Sequence, residues 1–436
     1  MKYLKKIILS TLIVLMLVLT GCNGKKPPVK TRLKEIKEVP YYKQEGYKFW
    51  IGAWNDPYPT LENYQALKEA NFNYLFAWDN KTPNDFSNML SYAELNDINV
   101  IYYTRGQTLS ENIEKEMILG KIDNPNLAGF LYWDEPSQEK MLEFIPHSVE
   151  HNNLFQDKIF FINLLPSTHY VGSSSYRNYL RNYIDKILVN IEGKKILSVD
   201  LYPLGGLPDF KPYVQSNWLA NLELTRELSE DFDLEVHYFV SATKHHNYRR
   251  ITEQTLRYEI AVLMSYGVQG FTYFTYSNDK TVDFEVGIVS NDGTKSEKYD
   301  LVKKINGEIR KFEAVYNAFE YQETMHVLGE GNSSNINFKT TVNDVEEINY
   351  IKSVDATADT IVSSFKDKDD NYGVMFVNFS DPDLNITNYL DVYFYDAKKA
   401  LVYYHGEEML VDLVDGKFSY NLMPGESVFV IPLNLV

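Results

Sequence analysis

The chain has 436 residues, and its 60 Asp and Glu outweigh 43 Lys and Arg to give a formal net charge of −17. That balance argues against nucleic acid or an anionic lipid surface as a partner, because both require a concentration of Lys and Arg. A single cysteine, Cys22, excludes an internal disulfide and a Cys-based metal site, and the length is enough for one large domain and one small one.

The first element is a leader. Lys2, Lys5 and Lys6 precede a mainly apolar run from Ile7 to Leu19 that is too short and too one-sidedly flanked for a spanning helix. The run ends in Leu19-Thr20-Gly21-Cys22, which resembles the processing site of bacterial lipoproteins. The resemblance implies removal of residues 1–21, lipidation of Cys22, and a chain tethered to the bacterial membrane outside the cytoplasm. A diacylglyceryl group satisfies the two-chain requirement for stable anchoring. Losing the leader removes three lysines and no acid, taking the net charge to −20. Residues 22–40, with Lys25, Lys26, Pro27 and Pro28, read as a polar flexible tether with no fold of its own.

From Phe49 onward, short apolar β-rich runs alternate with amphipathic helical stretches, the pattern of βα units around a parallel sheet. The expected strands are Lys48–Ala53, Asn73–Trp78, Asn99–Tyr103, Ala128–Trp133, Lys158–Asn163, Ile196–Tyr202, Leu234–Val240 and Gly270–Tyr276. Helices such as Leu61–Ala70, Tyr176–Ile191 and Thr252–Tyr266 lie between them, and Tyr299–Phe319 closes the series. Count and spacing match a (β/α)8 TIM barrel over 41–325. A doubly wound dinucleotide fold fits less well, since Gly52-Ala53-Trp54-Asn55 after the first strand forms no phosphate cradle. Around Gly329–Asn335 the alternation gives way to strands alone: Thr360–Phe365, Tyr372–Asn378, Leu390–Phe394, Ala400–Tyr404, Glu408–Asp412 and Ser427–Ile431. Short strands at close spacing predict an antiparallel β-sandwich over 336–436.

Side chains at the C-terminal ends of barrel strands point into the active-site mouth. Read this way, the tips offer Trp54, Asn55 and Asp56; Trp78, Asp79 and Asn80; Tyr103, Thr104 and Arg105; Asp134 and Glu135; Asn163; Asp200 and Tyr202; and Tyr273, Tyr276 and Asn278. Acids, amides and aromatics on one rim suit a carbohydrate, whose faces stack on rings while carboxylates and amides take its hydroxyls. Glycoside hydrolysis needs an acid for the leaving oxygen and a second carboxylate. Glu135 is the candidate proton donor: it ends the apolar run Leu127–Trp133, Pro136 stops the strand behind it, and Tyr132 and Trp133 are apolar neighbours able to raise its pKa. Asp200, in Ser198-Val199-Asp200-Leu201-Tyr202-Pro203, is the candidate nucleophile or water-activating base, with Asp134 and Asp79 in reserve. Asp134 and Asn163 are expected to hold sugar hydroxyls, and Trp54, Trp78, Tyr202, Tyr273 and Tyr276 to form the aromatic binding surface. A structural alternative stands beside this one, in which Asp134, Glu135 and Ser137 cap a helix starting at Gln138.

The stretches Gly129–Pro136, Asp200-Leu201-Tyr202-Pro203 and Tyr266–Tyr276 resemble the fourth, sixth and eighth strands of a group of bacterial surface proteins assigned as glycosidases, related to the clan A (β/α)8 glycoside hydrolases. The resemblance spans barrel and β-rich tail and implies a glycosidase with Glu135 as acid. Two departures stand out. Asp134 occupies the place of the clan's Asn, and the seventh strand ends in Phe239-Val240-Ser241-Ala242, its only acid, Glu235, lying at the opposite end. Retention or inversion is therefore left open.

His245-His246 with Arg249-Arg250 reads either as a site for a carboxylate or sulfate on a sugar or as a solvated loop. No His-Glu-x-x-His and no Gly-x-Ser-x-Gly occur, so neither a zinc peptidase nor an α/β-hydrolase esterase is indicated, and no metal or cofactor is expected. Two functions fit: a lipid-anchored extracellular glycoside hydrolase with a carbohydrate substrate, or a non-catalytic glycan-binding surface lipoprotein on the same scaffold.

Overall fold

The computed structural model describes residues 31–44, 46, 48–78, 81–170, 172–206, 212–330 and 345–436. The leader and Cys22 lie outside the described residues.

Eight parallel strands close into a barrel: β1 (Trp50–Trp54), β2 (Tyr74–Ala77), β3 (Asn99–Tyr103), β4 (Leu127–Asp134), β5 (Ile159–Leu164), β6 (Ile196–Val199), β7 (Glu235–Ser241) and β8 (Gly270–Phe274). Around them run α1 (Leu61–Glu69), α2 (Pro83–Asn96), α3 (Lys115–Leu119), α4 (Ile145–Leu154), α5 (Ser173–Lys186), α6 (Trp218–Phe232), α7 (Glu253–Ser265) and α8 (Lys298–Tyr316). Local chemistry fixes the helix starts: Thr60, Thr82 and Thr252 each accept a backbone N–H of the first turn.

Strand side chains alternate across the sheet, and here both faces are buried. Outward residues such as Ala53, Leu75, Val100 and Phe271 join the helices in one large core, whereas Trp50, Trp54, Phe76, Ile101, Leu131, Phe161 and Phe239 fill the barrel itself. At the floor the Trp50 and Tyr74 rings stack with 3.4 Å between centroids. Room for Trp50 comes from Gly52 and Gly270, where a Cβ would collide with Trp50 itself. The lower barrel is thus an aromatic plug, and open chemistry is confined to its C-terminal mouth.

The tail forms two sheets. The larger runs in the order β9 (Phe319–Val327), β11 (Thr360–Asp367), β12 (Tyr372–Asn378), β17 (Ser427–Leu435), β14 (Lys399–Tyr404), β15 (Glu407–Asp412), and the smaller is β10 (Ile351–Ala356), β13 (Asn388–Phe394), β16 (Lys417–Leu422). Val374, Phe376, Val428 and Val430 face the smaller sheet, while their neighbours Met375, Val377, Phe429 and Ile431 belong to the barrel's outer core. The large sheet is therefore covered on both sides, by the small sheet and by barrel helices.

Three details differ from the expectations drawn from sequence. The last helix ends at Tyr316 and β9 begins at Phe319, inside the span assigned to the barrel; Phe312, Tyr316 and Phe319 continue an i, i+3/i+4 spacing that hides the change of element. Strands β10 and β16 have no counterpart among the expected strands, since each has buried side chains at few positions. Part of the expected tether is folded: Leu33 is buried and Glu35–Ile36 pairs in parallel with Asn434–Leu435.

Because Phe429 packs on Phe312, Phe319 and Phe365 at 5.3–5.6 Å, Phe429→Ala is expected to cost about 3–5 kcal/mol. Calorimetry should show one transition moved downward as a whole; two separated transitions would show that barrel and sandwich do not share this core.

Candidate active site

The rim is organised by an irregularity in β4. Against β5, Leu131 pairs with Phe161, but the next partners are Trp133 with Ile162 and Asp134 with Asn163, so one extra residue sits in β4. Strict alternation from Leu131 would turn Trp133 and Glu135 into the barrel. The bulge reverses that parity. Tyr132 and Trp133 face the helices, where the Tyr132 hydroxyl meets His151 Nδ1 at 3.1 Å and Lys140 lies over the Trp133 ring, and Asp134 becomes the inward residue. Glu135 follows at φ +51°, a left-handed conformation unusual for a non-glycine residue and a mark of functional sites. It is held there by its N–H on Asn163 O at 2.8 Å and by Tyr179 of α5, whose hydroxyl donates to Pro136 O at 2.8 Å. Ser137 does cap the short helix Gln138–Leu142, so the helix-start reading is also realised.

Three carboxyls converge. Asn163 Nδ2 donates to Asp134 Oδ1 at 3.0 Å while its Oδ1 accepts from Ser198 at 3.0 Å, linking β4, β5 and β6. Burial, only partly offset by the Asn163 bond and reinforced by the Glu135 charge, pushes Asp134 up to about 6. Asp200, just past β6, is pushed well above the carboxylate range, first by burial, then by the charges of Glu135 and Asp134, and by a hydrogen bond shared with the Glu135 carboxyl. Its Oδ1 is enclosed with no donor among the described residues, so ionising Asp200 would leave a desolvated charge without compensation. Glu135 is solvent-exposed. Burial and the neighbouring carboxyls thus favour the protonated form of Asp200. This corrects the reason given for Glu135 as the protonated acid: Tyr132 and Trp133, its apolar neighbours in sequence, point away from it.

Aromatic rings flank the acids. Trp54 packs on Trp78 and Phe239, and Trp78 on Tyr103, at 4.8–5.3 Å. Across the mouth, Tyr202 packs on His245 and Tyr248 at 5.2–5.3 Å and on Phe274 at 5.8 Å. Burial and then the Asp200 charge raise both tyrosine hydroxyls, Tyr248 to about 12. Four predicted ring positions are corrected: Trp54 and Tyr202 are buried in the packed interior of the barrel and present no open face. Tyr273 faces outward, in register with Ala53, and donates to Asn306 of α8 at 2.8 Å. Tyr276 is buried against Phe72 at 5.0 Å. The inward residue of β8 is Phe274, which counting by twos from Gly270 identifies; Tyr248 sits on a loop and has no periodic signal. Asp79 lies outside the described residues. His245 is buried and pushed down to about 4, first by burial, and Arg249 is engaged by carboxylates, so neither is free for an anionic sugar substituent. Among the described residues no group of three His, Cys, Asp or Glu suits a metal ion.

The molecule is thus a (β/α)8 barrel with an acidic, aromatic C-terminal mouth and an antiparallel β-rich tail. No family model and no curated protein matches the chain. Among solved structures, a Bacteroides fragilis protein assigned as an alpha-galactosidase is similar with TM-score 0.50 and 9% identity over 88% of this chain and 79% of that one. An Anoxybacillus alpha-amylase gives 0.48 and 12% over 86% and 89%. Saccharomyces cerevisiae Gas2p in complex with laminaripentaose gives 0.39 and 13% over 57% and 58%, so the chain spans less than two thirds of that protein. These likenesses concern the fold, which glycoside hydrolases share.

Replacing Asn163 by Leu removes the donor that favours charged Asp134. A hydrogen bond to a charged group is worth about 1.5–3 kcal/mol, so the Asp134 midpoint is expected to climb by about one unit or more from its starting value near 6, read by carboxyl NMR titration. The sign for stability follows from the raised value. The folded state binds this proton more tightly than the unfolded chain, so the contribution is complete below the unfolded value near 3.8 and lost as pH rises through about 6.

Proposed function

We propose that this chain is a glycoside hydrolase in which Asp200 is the general acid and Glu135 the carboxylate that attacks the anomeric carbon. The observation that carries the reading is the pair itself: a half-buried carboxyl with one enclosed oxygen, whose surroundings favour its protonated form, beside an exposed carboxyl at the aromatic mouth of a barrel. General acid work requires a proton still in place at working pH, and the surroundings of Asp200 favour that state. A retaining course is adopted for this pair, and the anomer of the first-formed product tests it against inversion. In the first step the Glu135 carboxylate bonds to the anomeric carbon as the glycosidic bond breaks, and the Asp200 proton passes to the leaving oxygen. In the second, Asp200, now a carboxylate, takes a proton from water as that water displaces Glu135. Asp134 and Asn163 hold hydroxyls beside the reacting carbon, and the half-buried rings of Trp78, Tyr248 and Phe274 supply the stacking surface, with the buried Trp54 and Tyr202 packed against them. We place the enzyme outside the cytoplasm, anchored through a lipidated Cys22, on the strength of the Leu19–Cys22 segment.

The test is product release from 4-nitrophenyl glycosides and oligosaccharides by the purified full-length chain. Asp200→Asn should lose about 10²–10⁴-fold on oligosaccharides and much less on the nitrophenyl substrates, whose leaving group needs little protonation. Glu135→Ala should be inactive on both, with azide restoring turnover as a glycosyl azide. In the wild type, the rate should fall as pH rises through the Asp200 value, since that step removes the acid's proton. A glycosyl azide of inverted configuration from Asp200→Ala and of retained configuration from Glu135→Ala would exchange the two roles. Glycan binding with no turnover by the wild type would favour the binding-protein reading, which the absence of an acid at the tip of β7 supports.

A further inference from the structure

The wall of the mouth that carries Tyr202, His245 and Tyr248 is built from two loops, one after β6 and one between β7 and α7. Their backbones are tied together: Arg249 N donates to Leu204 O at 3.1 Å and Gly206 N to Asn247 O at 2.8 Å. The side chain of Arg249 completes the tie, with Nε on Gly205 O at 3.1 Å. Its guanidinium then reaches out of the barrel. Nη1 and Nη2 form a fork on Asp381 at 2.6 and 2.8 Å, and Nη1 also meets Asp383 at 3.0 Å. Asp381 lies in the sandwich, on the connection between β12 and β13. On the same connection, Phe379 stacks on Tyr258 of α7 at 5.4 Å, so this part of the sandwich is seated directly on the barrel. Only 6% of the Arg249 side chain and 11% of that of Asp381 are exposed.

We propose that Asp381 is a positioning residue for substrate binding: by orienting the Arg249 fork from the second domain, it sets the two loops that carry Tyr202 and Tyr248, so that the half-buried Tyr248 ring, backed by the buried Tyr202, stacks on the glycan. The inference rests on the glycosidase reading for its substrate, but not for its mechanics. A bidentate arginine–carboxylate pair fixes direction as well as charge, and Gly205 O and Asp381 grip different edges of one planar group. Moving the carboxylate therefore moves the carbonyl three residues from Tyr202. The tail is then part of the binding site, although none of its residues touches the glycan.

The experiment pairs steady-state kinetics with amide hydrogen exchange on the full-length chain. Asp381→Asn should raise KM about tenfold, which is about 1.4 kcal/mol, with kcat within about twofold, and should speed exchange in peptides covering 202–206 and 245–249. Arg249→Lys, which keeps the charge and loses the fork, should do the same, and Asp381→Glu should recover part of the effect. Asp383→Asn, removing a half-exposed partner of one nitrogen, should leave KM within about twofold of wild type. A folded Asp381→Asn protein with unchanged loop exchange, or with kcat lowered and KM untouched, would overturn the proposal. If Asp381→Asn does not fold, Arg249→Lys and Asp381→Glu are judged by the same two readouts. If the wild type hydrolyses no glycoside, the exchange data still decide whether Asp381 sets the loops, and only the glycosidase reading falls.

Discussion

One inserted residue in β4 governs the rest of the site. Parallel strands admit side chains to the barrel at every second position, and the bulge between Leu131 and Trp133 shifts that count by one. Without it, an indole would enter the mouth and Asp134 would face the helices as an unpaired buried acid. With it, Asp134 meets Asn163, Asn163 meets Ser198, and the tips of three adjacent strands are joined by side-chain hydrogen bonds. The left-handed turn at Glu135 follows directly, since the chain must swing back toward the rim after presenting Asp134 inward.

Burial then divides the labour among the acids. Glu135 and Asp200 are both carboxyls at strand ends, and in sequence both precede a proline or an apolar-proline stretch. They differ in surroundings: Glu135 is open to solvent, whereas Asp200 is half-buried with one oxygen enclosed. A pair of close carboxyls retains a proton because both cannot ionise cheaply, and the proton settles on the member whose charge water screens least.

The architecture is legible from spacing alone. The eight barrel strands and the central strands of the tail stand out because buried parallel and doubly covered strands are continuous apolar runs, and here even the large antiparallel sheet is covered on both faces. Elements that leave no such trace have mixed burial, as in β10, or are masked by a neighbouring period, as where Phe319 prolongs the spacing of α8. At the site, strand ends point to Glu135, Asp134, Asn163, Asp200 and Trp78, which stand at the mouth, whereas Trp54 and Tyr202 are buried within the barrel. Tyr273 is misread when closeness to a strand's end is weighed without its parity. The proton's location is hidden for a different reason: it depends on which rings cover which acid, and the residues adjacent to Glu135 in sequence are turned away from it in space.

Filling the lower barrel with Trp50, Tyr74, Phe76 and Phe161 has a consequence for the acids above it. The plug is a layer of buried apolar rings, so the mouth has a low-dielectric floor. In such a setting each carboxyl charge acts strongly on its neighbours, and only groups aimed at one another from adjacent strands can offset it. The His237–Glu235–Lys194 cluster at the opposite end is separated from them by that aromatic layer and paired within itself. The carboxyls of the upper rim and the Lys194–Glu235 ion pair at the floor therefore lie on opposite sides of the aromatic layer.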